Sequence, residues 1–187
     1  MYLIKKTRAT SITLVIILAA SLLSCDRRID IVAKAAILTL PSVTVKNFET
    51  VFTDSGKVQL IMTAPIMEQY DNTDDAFSDF KSGINVLFYD GKRDPVGSVT
   101  AKYARHTESK SLWELRDSVV VINAANEKLE TELLFWNQQK DIIYTERFVQ
   151  ITTKDRKIQG TGFESDSRLT KRKIRNVSAT IYLNDEE

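Results

Sequence analysis

The chain contains 187 residues, of which 43% are hydrophobic and 27% charged, and its formal net charge is +1. This length and composition suit one globular domain whose core needs neither a disulfide nor a metal to hold it together. The single cysteine and single histidine exclude an internal disulfide and argue against a metal site, and the near-neutral charge argues against nucleic-acid binding.

The first predicted element is a signal segment. Lys5, Lys6 and Arg8 form a basic start, and residues 12–23 are mostly apolar. A membrane-spanning helix needs roughly 20 apolar residues, and this run is shorter. The layout therefore predicts a secretory signal peptide over residues 1–24.

The signal segment ends in the sequence Leu-Leu-Ser-Cys, residues 22–25, which resembles the bacterial lipobox. We predict that Cys25, the only cysteine, is lipidated and becomes the mature N-terminus. Asp26 resembles the inner-membrane retention signal of proteobacterial lipoproteins. An uncleaved membrane anchor with an incidental cysteine remains the alternative. Both interpretations place residues 26–187 outside the cytoplasm and beside a membrane.

Residues 25–40 are predicted to form a tether, and residues 41–187 to form one domain. From Pro41 onward, apolar residues recur with period two in short β-branched and aromatic runs, separated by turn sequences such as residues 54–56. This pattern is typical of β-strands. No stretch of twelve residues has a clean apolar stripe of helical spacing, so the domain is predicted to be all-β with about ten or more strands.

A repeat of about 30 residues runs through the domain. Val99 aligns with Leu129 and Ile158, and the other aligned sets are Ala101 with Thr131 and Gly160, Tyr103 with Leu133 and Gly162, Leu115 with Thr145, and Val119 with Val149. Each copy predicts a hairpin, which must stack on its neighbours because so small a unit cannot bury its apolar face alone. A fourth copy begins at Met62 and carries a longer acidic loop before Val86.

Strand alternation puts the equivalent side chains of these repeats on one face of the sheet. The predicted interior groove is lined by Val99, Ala101, Tyr103, Val119, Leu129, Thr131, Leu133, Val149, Ile158 and Gly160. The centre of each first strand is small, as at Ala64 and Gly160. Two explanations stay open: close packing of two sheet faces, or a groove that accepts an apolar chain.

Several stretches, in this order, resemble the LptC family, the periplasmic component of the lipopolysaccharide export machine. They are "SGKVQLIMTAP", "VTAKYA", "LWELRDSVVVINAANEKLETELLFW", "IIYTERFVQIT" and "IQGTGFESD". The resemblance runs from about Pro41 to Tyr182. Its most specific parts are an L-x-T-E-x-L-x-W core over residues 129–136 and an I-x-G-x-G core over residues 158–162.

The resemblance implies an open, twisted antiparallel β-jellyroll whose groove holds the acyl chains of lipopolysaccharide. It also implies two kinds of partner: the subunits of the inner-membrane ABC transporter and an LptA-like periplasmic protein that docks end to end. The chain would receive lipopolysaccharide from the transporter and pass it on for outer-membrane assembly. A typical member has a spanning N-terminal helix, whereas this chain has a lipobox, which predicts a lipid anchor on the periplasmic face of the inner membrane.

The C-terminal stretch, residues 174–183, is predicted to form a terminal strand with a free row of backbone groups, which invites another chain to add a strand. The predicted docking residues are Ile174, Val177, Ala179 and Ile181. Cationic residues and an acidic tail flank this strand and would discourage pairing between copies. The resemblance names an LptA-like protein as the partner.

Catalytic signatures are missing from the sequence, which has no serine elbow, glycine-rich phosphate loop or paired histidines. We therefore predict a protein that is not an enzyme and has no cofactor. The basic cluster over residues 168–175 fits either a charged edge that resists aggregation or a contact for lipid phosphates and anionic membranes. The alternative function is a structural or adhesin-like envelope lipoprotein without a lipid ligand.

Overall fold

The computed structural model describes residues 40–182. The predicted signal peptide, the lipidation site Cys25, the tether as far as residue 39 and the acidic tail over residues 183–187 lie outside this range. The chain divides into two units between Leu40 and Pro41, and every described strand lies in the second unit. Within residues 40–182, no helix is long and apolar enough to span a membrane.

The described chain forms eleven strands and one short 3-10 turn, Glu108–Lys110. The strands are β1 (Val43–Asp54), β2 (Lys57–Tyr70), β3 (Phe77–Phe80), β4 (Ile84–Phe88), β5 (Gly97–Ala101), β6 (Tyr103–Thr107), β7 (Leu112–Ile122), β8 (Lys128–Asn137), β9 (Ile142–Thr152), β10 (Arg156–Asp166) and β11 (Lys173–Tyr182). All belong to one sheet, and every pairing between neighbours is antiparallel. The predicted all-β jellyroll is confirmed.

Two pairs of short strands, β4–β5 and β3–β6, lie between the long strands β2 and β7 and distinguish two halves of the sheet. On one side β2 pairs with β1, and on the other it pairs first with β4 and then with β3. Likewise β7 pairs with β8 on one side and with β6 and β5 on the other. The long strands from β7 to β11 therefore cross both halves, while β4–β5 belong to one half and β3–β6 to the other. β1 and β11 form the two outer edges.

The halves meet along a line of irregularities that crosses neighbouring strands. β5 and β6 are separated at Lys102, and the register shifts between Arg116 and Val119 in β7 and between Thr131 and Phe135 in β8. Asp117 and Ser118 have φ values of 63° and 55°, which shows that the backbone leaves the extended conformation there. Because bulges bend a strand and increase its twist, this line is where the sheet folds over its own core.

One continuous core draws residues from both halves of the sheet. Its largest fully buried side chains are Phe163, Leu129, Val119, Val149 and Thr145. Val119 and Val149 occupy equivalent places in two successive repeats, as do the buried Leu115 and Thr145. The repeat therefore builds the core from stacked hairpins, as the sequence predicts.

The predicted acidic loop before Val86 is wrong in part, because it contains β3. Asp79 lies in the middle of this short strand and is 3% exposed. Its charge indicated a loop, but in the structure the carboxylate is neutralised by a side chain of the neighbouring strand β6. A paired carboxylate does not exclude a strand.

Candidate functional site

The candidate site is the interior face of the sheet, where cross-strand rows run through five strands. One row joins Val99, Val121, Leu129, Ile151 and Ile158. Val121 and Ile151 were not predicted to lie on this face, although the alternation from Val119 and Val149 would have found both.

A second row lies beside the line of bulges and joins Val119, Thr131, Val149 and Gly160. Ala101 is buried near this line and pairs with Ile84. Eight of the ten predicted groove residues thus share the interior face: Val99, Ala101, Val119, Leu129, Thr131, Val149, Ile158 and Gly160.

The prediction that Tyr103 and Leu133 line the interior is wrong. Each follows a bulge, which shifts the alternation by one residue and turns the side chain to the outer face. Tyr103 donates a hydrogen bond from its Oη to the Asp79 carboxylate at 2.7 Å. Leu133 pairs with the exposed Arg116 and lines a surface depression that also includes the exposed Phe148.

At Gly160, the small residue serves close packing rather than an open groove. A Cβ atom built at this glycine would lie 2.5 Å from the backbone oxygen of Asn176 and 2.6 Å from a methyl carbon of Ile174. Both neighbours belong to β11, so the missing side chain is what lets the edge strand approach β10 this closely. A large residue at Gly160 would therefore disturb β11 before it affected any lipid.

A polar cluster on the outer face holds β3 against β6. Arg105 donates two hydrogen bonds to Asp79, at 2.7 and 2.9 Å, and Tyr103 donates a third. Burial by itself raises the pKa of Asp79, but the hydrogen bonds from Arg105 and Tyr103 outweigh it and hold the pKa below its usual 3.8. The carboxylate is ionised at neutral pH and ties together two elements of the jellyroll.

Replacing Asp79 with asparagine is expected to lower the free energy of unfolding by about 2 to 3 kcal/mol at pH 7, because it leaves the Arg105 guanidinium without its charged acceptor. A lowered folded-state pKa gives stability that is present above the unfolded pKa and is lost as the pH falls through the folded pKa. The gap between wild type and Asp79→Asn should therefore shrink as the pH falls from about 5 towards 2.

Urea unfolding at pH 7 and at low pH measures this gap. Asp90→Asn is the matched control, because Asp90 forms an exposed pair with Lys92 and such pairs contribute little. A gap for Asp79→Asn that stayed constant with pH would contradict the role of the ionised carboxylate.

The four predicted docking residues do not form one exposed row on β11. Ile174 packs against the core, whereas Val177 is 57% exposed and Ile181 is 49% exposed. Val177 pairs with Gly160 on the interior face, while Ala179 and Ile181 pair with outer-face positions of β10, because the register shifts between Gln159 and Gly160. Tyr182, the aromatic residue of the strand, is 71% exposed and was missed because the period-two spacing of Val177, Ala179 and Ile181 skips it.

Two arginines of the basic cluster fasten β11 to the body of the sheet. Arg172 forms an ion pair with Glu127 at 2.9 Å. Arg175 reaches across β10 to Glu146 of β9 and passes over Gly162, where an added Cβ would lie 2.8 Å from its Nε. These contacts agree with the charged-edge explanation for these two side chains. Beyond them, the residues from Val177 to Tyr182 pair with β10 and with no second strand within residues 40–182.

Two comparisons with known proteins bear on the identity of the chain. A family model described as "Lipopolysaccharide-assembly, LptC-related" matches residues 12–182, which include every described strand. The comparison with curated proteins returned no match. Members of the matched family take part in lipopolysaccharide transport and are associated with the periplasmic side of the inner membrane. Since the match covers most of the sequence, the chain belongs to the LptC family.

Proposed function

We propose that this chain receives lipopolysaccharide from the inner-membrane ABC transporter in its jellyroll and passes it to an LptA-like periplasmic protein. It does no chemistry on the lipid and needs no cofactor. The observation that supports this role most strongly is the family match over residues 12–182. The interior face adds a physical reason, because its rows of apolar side chains offer acyl chains an environment without water.

Acyl chains set the energetics of the transfer. Apolar surface left in water costs roughly 25 cal/mol per Å², so an extracted lipid needs cover throughout its passage. The interior rows from Val99 to Ile158 and from Val119 to Gly160 give such cover if the sheet halves part along the line of bulges. The transporter supplies the energy, and the chain contributes a path along which the lipid stays shielded.

The handover uses the β11 edge. Its last residues pair with β10 on one side, and no strand of the described range pairs with the other row of backbone groups, which could accept an added strand. Val177, Ile181 and Tyr182 flank this edge with exposed apolar surface. An LptA-like strand paired there would extend the interior face from one jellyroll into the next.

Release of lipopolysaccharide from spheroplasts tests this function. Spheroplasts that contain the transporter and this chain should release labelled lipopolysaccharide to an added LptA-like protein when ATP is present. Spheroplasts without the chain should release little. Equal release with and without the chain would contradict the proposed role and favour a structural lipoprotein.

We propose that a lipid attached to Cys25 anchors the chain to the membrane. Changing Cys25 to alanine is expected to leave the precursor unprocessed or to free the domain into the soluble fraction, because the acyl chains that hold it contribute about 0.8 kcal/mol per buried methylene. Incorporation of labelled fatty acid and membrane sedimentation measure both effects. Ser24→Ala keeps a small residue before the cysteine and is the control. If Cys25→Ala is still cleaved and still sediments as wild type does, the lipid anchor is wrong.

A further inference from the structure

Three buried ring nitrogens on the interior face have no hydrogen-bond partner among the described residues. They are Nε2 of His106, Nε1 of Trp113 and Nε1 of Trp136. These residues lie on the neighbouring strands β6, β7 and β8 and pair directly across the sheet, His106 with Trp113 and Trp113 with Trp136. We call this set the ring-nitrogen row.

Elsewhere in the described core most buried polar side chains find partners within the protein, and among the described residues the Thr152 hydroxyl is the exception. Thr131 donates from its hydroxyl to the backbone oxygen of Phe148 at 2.8 Å, and the Thr145 hydroxyl accepts from the backbone N–H of Arg147 at 3.1 Å. Asp79 accepts three hydrogen bonds. Buried donors without acceptors are uncommon in native proteins, and several at adjacent positions indicate that something else satisfies them.

The row lies close to one end of the sheet. The next cross-strand set outward joins Thr107, Leu112 and Asn137, and the turns over residues 108–111 and 138–141 follow. The surroundings on the interior face are aromatic: the His106 ring stacks on Trp113 with centroids 4.5 Å apart, and Phe80 lies 5.8 Å from Trp113. The unsatisfied nitrogens therefore border an apolar interior at its boundary with the polar end of the fold.

The chemistry of these ring nitrogens indicates which kind of hydrogen-bond acceptor they would bind. An indole N–H is a neutral donor without acceptor capacity. Burial lowers the pKa of His106 against an opposing hydrogen bond with Gln138, so its imidazole is neutral near pH 7 and has one donor and one acceptor nitrogen. Neutral donors in an apolar setting do not compensate the desolvation of an anion, whereas they match an uncharged carbonyl oxygen.

We propose that the ring-nitrogen row is a subsite that binds the ester or amide carbonyl groups linking acyl chains to the headgroup of a lipid held in the jellyroll. This inference rests on the proposed function, because it assumes a lipid in the interior. The location fits the chemistry: the linkage separates the apolar chains from the polar sugar, and the row separates the apolar interior from the end of the sheet. The subsite fixes how deeply the lipid enters.

The test compares two probes with identical chains. One is an acylated glucosamine 1-phosphate with ester- and amide-linked chains, and the other is its ether-linked counterpart without carbonyl groups. Calorimetry with the full chain, at probe concentrations below micelle formation, should show about tenfold tighter binding of the acyl probe, as expected for one or two hydrogen bonds. Both tryptophans of the sequence belong to the row, so a change in their fluorescence reports contact there directly.

Two variants test whether the preference for the acyl probe depends on the ring-nitrogen row. Trp113→Phe combined with Trp136→Phe keeps aromatic packing but removes both indole donors and leaves only the His106 nitrogen, so most of the preference for the acyl probe should be lost. Phe135→Leu is the matched control. Phe135 precedes Trp136 in β8 and stacks on Tyr144, but it has no ring nitrogen, so this variant should keep the preference for the acyl probe. The preference is the ratio of the affinities of one variant for the two probes. A general loss of affinity for both probes therefore leaves it unchanged.

The outcomes separate this inference from the proposed function. If wild type binds both probes equally, or if the double variant keeps the preference, the subsite is wrong while lipid binding stands. If neither probe binds but lipopolysaccharide does, the row does not recognise the acyl linkage and the subsite is again wrong. If lipopolysaccharide also fails to bind, the proposed function and the subsite fall together.

Discussion

Replacing Phe163 with alanine is expected to lower the free energy of unfolding by about 3 to 5 kcal/mol, the largest loss we expect from one substitution in this domain. The Phe163 side chain is 0% exposed. It lies in β10 between Thr145 of β9 and Ile174 of β11, so it packs where the edge strand joins the body of the sheet. Alanine would leave a cavity that the crossing strands cannot close, because their registers are pinned on both sides.

Phe148→Ala is the matched control. Phe148 is 51% exposed and lies in the irregular part of β9, so its truncation should change stability by no more than about 0.5 kcal/mol. Denaturant unfolding of both variants measures the difference. Equal losses would contradict the assignment of interior and outer faces on which the candidate site depends.

Deleting residues 176–187 is expected to abolish co-purification with an LptA-like partner while the body of the jellyroll stays folded. The deletion removes the free half of β11 and keeps Ile174, the residue of this strand that packs on the core. Without residues Val177 to Tyr182, the strand to which the partner is proposed to pair is lost. A pull-down beside circular dichroism measures partner binding and folding together.

Deleting residues 183–187 alone is the control, and it should bind the partner as wild type does. A second variant, Val177→Lys with Ile181→Lys, keeps the strand but places charges beside the partner's apolar side chains, and it should also weaken binding. A folded truncation that still binds at full strength would contradict docking at β11. An unfolded truncation together with unaffected binding by the lysine variant would show that the strand closes the core instead.

Period-two alternation was enough to predict the fold class and most of the interior face, because one residue of slip would expose an entire apolar row. It placed Val119, Leu129 and Val149 correctly, since the pairing is regular from each of them toward the same end of the sheet. It failed at Tyr103 and Leu133, which follow bulges.

A bulge changes the face of every later residue in its strand, yet the sequence around Lys102 and Glu132 carries no glycine or proline to mark it. The strand β3 was missed for a different reason. Asp79 is a loop residue by composition, and only Arg105 and Tyr103, more than twenty residues away, make it compatible with a strand. A local sequence pattern cannot reveal hydrogen bonds between residues so far apart in the chain.

Lipopolysaccharide is expected to travel along the interior face, and two neighbouring residues of β5 test this path most directly. Val99 points inward and packs against the core, and Thr100 is exposed on the outer face. A photo-crosslinking residue at Val99 in living cells should capture lipopolysaccharide in an ATP-dependent manner, and one at Thr100 should capture little. Equal capture at the two positions, or capture at neither while the transporter is active, would contradict the account.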